Sequence, residues 1–259
     1  MTSAKDIFIK PINARTANAK CKQVHYSGKV VPNSQLHFGV FLNGKLEGVM
    51  QFGPPINKKG TINLVRETKF NEFIELNRMA FSDVLPRFSE SRAIGITFRL
   101  IKKQYPQIKW IISFSDSTQC GDGTIYRASG FDLVEIRKSE ALRIDPKTGD
   151  VMHTIQAHHL MITKEFKTWE KTVGYQLKYI YFIDKSYKER LTVPVLPFSK
   201  IDEMGAGMYR GERLTIAERK DTISIKRVTE ANSGDQLESG GATPTHTLQS
   251  KALQNERKS

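Results

Sequence analysis

Three short stretches of this chain carry residue types that could do chemistry. The first is Asp122-Gly123-Thr124-Ile125-Tyr126-Arg127-Ala128-Ser129-Gly130-Phe131, which follows the apolar run Trp110-Ile111-Ile112-Ser113-Phe114 and its polar end Ser115-Asp116. It reads as strand, polar turn, short helix carrying a tyrosine, then Gly-Phe opening another strand. A phenol both gives and accepts protons. Gly130 suits a left-handed exit from the helix, and Phe131 suits a core anchor for the next strand. A helix-to-strand junction with a buried tyrosine and no chemistry is the plain alternative. The second stretch is Ser89-Glu90-Ser91-Arg92, ahead of apolar residues Ile94, Phe98 and Ile101 at helical spacing. A helix start directly after a strand is an anion site, because its first N–H groups have no partner within the helix. A phosphate group would fit there. The third is His25-Tyr26-Ser27-Gly28, the one dense constellation in a polar, basic N-terminal region.

The elements that must position these residues are legible in outline. Residues 36–42 read as a strand, Asn43-Gly44 as a hairpin turn whose two positions both tolerate positive φ, and residues 45–52 as the returning strand. Gly53-Pro54-Pro55 stops it. Residues 72–81 alternate apolar and polar and predict a central strand with one face turned to a site. Ser89 or Ser91 is placed to cap the helix over residues 93–103, whose last basic residues complement its dipole. Tyr105-Pro106 ends it. After Phe131 the chain reads as strands over residues 131–137 and 151–163. His158 and His159 would then point to opposite faces, a poor joint metal site.

Composition sets limits. The formal net charge is +13 over 259 residues, and the sequence pI is about 9.7. That excess points to a polyanionic partner. It is uneven: residues 1–60 carry nine Lys/Arg against only Asp6 and Glu47. Two cysteines, Cys21 and Cys120, make neither a CxxC pair nor a disulfide framework. No apolar run approaches the roughly 20 residues that span a bilayer, and the N-terminus has no signal-peptide core. The expected setting is the cytoplasm of a bacterial host, with no membrane partner. Residues 164–212 interleave aromatic and cationic side chains, a pattern suited either to stacking and phosphate contact on nucleic acid or to packing onto the domain. From about residue 215 the Ser/Gly/Glu/Thr-rich sequence predicts disorder.

The strand–turn–helix–Gly-Phe segment resembles the end of the acyl-CoA half of the GNAT superfamily of acyltransferases. In such enzymes the helix packs beside the cofactor and its tyrosine reaches the leaving sulfur. The ordered set of motifs resembles one divergent branch more closely, the Mom family of phage DNA-modifying proteins. The set comprises His25-Tyr26-Ser27-Gly28, Phe38-Gly39-Val40-Phe41, Glu75-Leu76-Asn77-Arg78, Ser91-Arg92, Ser113-Phe114-Ser115-Asp116, Gly123 to Ala128, Tyr179-Ile180-Tyr181-Phe182 and Arg190-Leu191. The resemblance spans about residues 20–200. It implies an enzyme that installs a carbamoylmethyl group on N6 of adenine in phage DNA, blocking host restriction enzymes, with acetyl-CoA and iron as associated cofactors.

By that resemblance the functional positions are His25 and Tyr26, Arg78, Ser91, Asp116 and Tyr126. Asp116, Tyr126, Tyr26 and Arg78 are the catalytic candidates. Ser91, Arg92, Arg78 and Tyr126 are the cofactor contacts, and His25 with Asp116 the metal candidates. Ser91 and Arg92 suit a pyrophosphate, Tyr126 a general acid, and Asp116 an acceptor for the adenine amine or a metal ligand. One nitrogen and one oxygen suit iron without defining it. The stretch Arg87-Phe88-Ser89-Glu90-Ser91-Arg92 lacks the glycines of an ordinary GNAT pyrophosphate loop, so side chains replace backbone contacts or ordinary acetyl-CoA use is in question. The target nitrogen is base-paired, so the base must be unstacked or flipped.

The expectation is therefore a GNAT-like α/β domain over residues 1–165, a mixed central sheet flanked by helices. A basic aromatic extension over 166–212 packs on it, and a disordered tail follows over 213–259. The partners are double-stranded DNA and an acyl-CoA, with a homodimer left open. Two alternatives stand: a conventional acetyl-CoA-dependent N-acetyltransferase of a small-molecule or protein amine, and a non-catalytic nucleic-acid-binding protein on a decayed scaffold.

Overall fold

The computed structural model describes residues 2–25, 28–116, 123–149 and 151–204. The chain divides into two units, residues 1–216 and 217–259. The second unit, the tail expected over 213–259 and Tyr26 all lie outside the described residues.

In chain order the elements are β1 (Phe8–Pro11), α1 (Ala14–Val24), β2 (Leu36–Leu42), β3 (Lys45–Gly53), α2 (Lys58–Ile62), β4 (Phe73–Phe81), α3 (Ser89–Gln104), β5 (Trp110–Asp116) and α4 (Thr124–Ala128). Then follow β6 (Asp132–Ile144), β7 (Val151–His153), α5 (Thr154–His159), α6 (Thr163–Phe166), β8 (Glu170–Phe182) and α7 (Ser199–Glu203). The strands form one sheet in the order β1-β2-β3-β4-β5-β8-β6-β7. Only β4 and β5 run parallel; their neighbours pair antiparallel. The result is a mixed α/β fold with an open central sheet and helices on both faces.

Local chemistry explains much of this. Asn43 and Gly44 take φ of 51° and 78°, the two positive values that a tight β2–β3 hairpin needs. On α3, Ala93, Ile94, Thr97, Phe98 and Ile101 are buried. They pack with Phe38, Phe52, Ile74, Leu76 and Phe131 to form the main core on one face of the sheet. α1 covers the other face. Its buried stripe is only Ala17 and Cys21, which meet Val49 and Ala80. Asn13 caps α1 by accepting from the Thr16 N–H at 2.8 Å.

Four expectations are corrected. The polar, basic N-terminal region, in which no strand or helix was expected, supplies β1 and α1; a stripe as narrow as Ala17 and Cys21 leaves little periodic signal. Neither Ser89 nor Ser91 caps α3. The cap position is Phe88 in a left-handed conformation, while Ser89 donates to the Pro86 carbonyl at 2.6 Å and Ser91 to that of Phe88 at 3.3 Å. The boundary drawn at residue 165 falls inside the fold, because β8 lies between β5 and β6. Trp169, Tyr179, Phe182 and Tyr187 are buried, in keeping with the packing alternative for this segment and not with a stacking surface. Lastly, the strand expected over 151–163 is a strand only to His153 and then turns helical, which lets Ala157 pack with Phe166 and Trp169 in a satellite cluster.

Candidate active site

The site begins with a divergence of two strands. β4 and β5 are paired only from Phe73↔Trp110 to Glu75↔Ile112. Beyond that point β4 follows β3 through a bulge: Leu76 opposes Phe52 and Arg78 opposes Gln51, leaving Asn77 as the extra residue. A bulge bends its strand and re-aims side chains. Ile74 and Leu76 point into the α3 core, whereas Ala80 lies beneath α1. Alternation puts Arg78 on the α1 face with Ala80, and Glu75 and Asn77 on that face with Phe73. The bulge thus gathers Glu75, Asn77 and Arg78 onto one face, beside the gap between β4 and β5. Across the gap, Asp116 ends β5 on the same face as Ile112, which shares a cluster with Phe73. One carboxylate therefore stands on each wall.

The α1 face is electrostatically organised. Arg78 donates from Nε to the Lys29 carbonyl at 3.5 Å and from a terminal nitrogen to the Asn77 carbonyl at 3.1 Å. His25 ends α1 close to it; burial, aided by the Arg78 charge, lowers its pKa to about 4, so the imidazole is neutral at physiological pH. Burial raises the Cys21 thiol despite Arg78, which keeps it from acting as a thiolate. Burial also raises the Glu75 carboxyl, against a hydrogen bond from Asn77 and the Arg78 charge. The Asn77 oxygen in turn accepts from the Ser34 hydroxyl at 3.2 Å. Gly53 makes this close packing feasible: a Cβ there would collide with the Asn33 carbonyl and reach the Asn77 oxygen at 2.8 Å.

On the α3 face a cleft of about 740 Å³ is lined by Lys5, Arg87, Phe88, Ser91, Arg92 and Arg99, with Ala128 of α4 at its edge. Among the described residues no acid lines it. Phe88 takes φ of 72°, so it supplies the left-handed turn that the missing glycines would have provided. The helix N-terminus and four cations make a strongly anion-attracting cradle. Next to it, Tyr126 leans on Phe131 and Tyr179 with ring centroids 5.2 and 5.1 Å apart. Gly130, at φ 80°, closes α4: its N–H donates to the Arg127 carbonyl and that of Phe131 to the Tyr126 carbonyl.

The structure thus separates the expected residues into two groups. His25, Arg78 and Asp116 belong to the α1 face; Ser91, Arg92 and Tyr126 belong to the α3 side. Arg78 stands on the opposite face from the cradle in which it was expected to share. Sequence reasoning missed Glu75, Asn77, Lys5, Arg87 and Arg99. The signal for Glu75 was available, as a carboxylate inside a strand read as central; the bulge that groups it with Asn77 and Arg78 left no trace. Among the described residues, the donor set does not fit iron. Among the described residues no three His, Cys, Asp or Glu side chains converge, and the guanidinium beside His25 repels a cation there. An acyl-CoA fits the α3 cradle, whose cations match its phosphates.

The model of the Mom protein family matches residues 6–200. The chain belongs to the Mom family. It is 34% identical over 211 residues to Methylcarbamoylase mom of Escherichia phage Mu, an alignment covering 76% of this chain and 85% of that protein. Among solved structures it is similar to the ribosomal-protein-S18-alanine N-acetyltransferase of Escherichia coli, at 10% identity and a TM-score of 0.41 over 69% of this chain and 94% of that one. It is also similar to a GNAT family acetyltransferase of Elizabethkingia anophelis with acetyl-CoA bound, at 14% identity and 0.36 over 67% and 97%. The fold itself is read from the strand order and the β4 bulge. No described helix of this Mom family chain is long and apolar enough to cross a membrane.

Proposed function

We propose that this chain is a phage DNA-modifying transferase that converts adenine to N6-carbamoylmethyladenine and so shields DNA from host restriction enzymes. The observation that carries the reading is the Mom family match over residues 6–200, with a methylcarbamoylase of phage Mu as a 34% identical relative. The two-sided cleft is consistent with it. On the α3 side, Lys5, Arg87, Ser91, Arg92 and Arg99 would hold the phosphates of an acyl-CoA. Direct acyl transfer from such a thioester would bond N6 to a carbonyl carbon, whereas the product has N6 bonded to the methylene of CH2–CONH2. The group transferred is therefore a carbamoylmethyl unit from a donor of the class X–CH2–CONH2, with HX leaving. The CoA-type cradle would hold the phosphates of that donor or its carrier. On the α1 face the target adenine would enter flipped from the duplex.

There Asp116 accepts a hydrogen bond from the exocyclic amine and fixes its orientation. Glu75, made more basic by burial, accepts the proton that the nitrogen loses as it forms its new bond to carbon. Neutral His25 and the Arg78 guanidinium orient the base edge. Tyr126, held by Phe131 and Tyr179, returns a proton to the leaving group. The exposed cations of α1, Arg15 and Lys22, lie on the same face and suit the flanking phosphates.

The test is mass spectrometry of nucleosides digested from the DNA of cells expressing the protein, beside a Tyr126→Phe control. A deoxyadenosine heavier by one carbamoylmethyl group, absent in the control, is the expected result. Unmodified adenine despite good expression would overturn the proposal and leave amine acetylation as the next assay.

A further inference from the structure

β6 and β8 are 13 residues each, longer than any other described strand. β5 ends at Asp116, opposite Gln176 of β8. Residues 170–175 of β8 continue past that end and, among the described residues, pair with β6 alone. Six residues at roughly 3.3 Å each make an overhang of about 20 Å. It projects in the direction in which the gap between β4 and β5 opens. β7, α5 and α6 are mounted at its far end.

The turn between α5 and α6 carries Leu160 and Met161, 59% and 92% exposed. Met161 has φ of 59°, with its N–H donating to the His158 carbonyl and the Ile162 N–H to that of Ala157. This is the helix-ending turn in which glycine is the favoured residue, and a methionine there costs about 1 kcal/mol. The chain retains that strain and presents a bare apolar tip. Behind the tip the mount is stiff: Ala157, Phe166 and Trp169 are buried together. Arg143 donates to the Trp169 carbonyl at 2.6 Å and lies over the Phe166 ring. Residues 151–164 contain no acid, and His153, His158, His159 and Lys164 flank the tip.

We propose that Leu160 and Met161 form a wedge that enters duplex DNA at the base step beside the target and fills the space the extruded base leaves. Apolar side chains on a rigid projection are what protein wedges use to unstack base steps. The inference rests on the reading that this chain acts on a base in duplex DNA.

The test compares the full chain with a Leu160→Ser/Met161→Gly double variant, in which glycine suits the left-handed position and the turn persists. Two oligonucleotide duplexes are modified: one with the adenine paired to thymine, the other with the adenine opposite an abasic site. Expected is a loss of roughly tenfold or more on the paired duplex and a change within about twofold on the abasic one, where the target is already unpaired and leaves the helix at less cost. A 2-aminopurine at the target position should brighten on binding the parent protein and stay dim with the variant. Equal activity on the paired duplex would overturn the wedge. So would an equal loss on both duplexes, including one that accompanies dissociation of a dimer in sedimentation, which would make the tip a contact between copies. If the parent modifies neither duplex but brightens the probe, the chemistry assigned above fails while the wedge stands. If it does neither, both fail.

Discussion

At the scale of single residues, Glu75 is a carboxyl held largely out of water. Burial raises its carboxyl pKa above the ordinary 4.5, so the folded protein holds the Glu75 proton more tightly than the unfolded chain does. Stability from this group is therefore present at low pH and declines as pH rises from that ordinary value through the raised one. Glu75→Gln removes the charge and keeps the shape. The variant should unfold at a higher temperature than the parent at neutral pH, while adenine modification falls by about a hundredfold or more. Thermal unfolding and nucleoside mass spectrometry on one preparation check both halves, and retained activity would remove Glu75 from the mechanism. Arg78 shows the complementary case. The resemblance made it a catalytic residue and a cofactor contact, but the bulge places it on the other side of the sheet from the cradle, where burial, aided by its charge, keeps His25 neutral.

At the scale of elements, α4 is a five-residue helix that holds its tyrosine through its neighbours. Gly123, at φ 69°, begins it. A Cβ there would stand 2.6 Å from the ring and hydroxyl of Tyr179, a fully buried residue against which Tyr126 leans. Gly123→Ala should cost about 1–3 kcal/mol of stability, as overpacking does. It should also lower modification more than a distant substitution of equal cost, because Tyr126 must shift with Tyr179. Denaturant unfolding and initial rates separate the two effects. Strong local rules made some elements readable: the Asn43-Gly44 hairpin, the spacing of Ile94, Phe98 and Ile101, and the Gly130-Phe131 exit. The α5 segment was misread because a short apolar run has no period of its own, and a satellite core of Ala157, Phe166 and Trp169 decides its conformation.

At the scale of the whole molecule, positive charge gathers in two places. The α3 cleft collects Lys5, Arg87, Arg92 and Arg99 around one end of a helix, while residues 7–46 contain six Lys/Arg and no acid on the way through β1, α1 and β2. Replacing Arg15 and Lys22 on the outside of α1 with glutamine should lower the slope of log DNA affinity against log salt by about 2, one for each phosphate no longer neutralised. CoA binding should be unchanged. A salt titration by fluorescence anisotropy, with calorimetry of CoA binding, decides it. By itself, the sequence determined what depends on neighbours along the chain: the hairpin, the α3 helix, the basic excess, the ordered motifs and hence the family. Only the tertiary structure decided what depends on residues far apart in sequence. It set β8 between β5 and β6, ended the β4–β5 pairing at Glu75, and divided the candidate residues between two faces of one sheet. The reason is that strand pairing and bulges are fixed by contacts across tens of residues. Which face a side chain occupies follows from them and leaves no periodic signature in the chain.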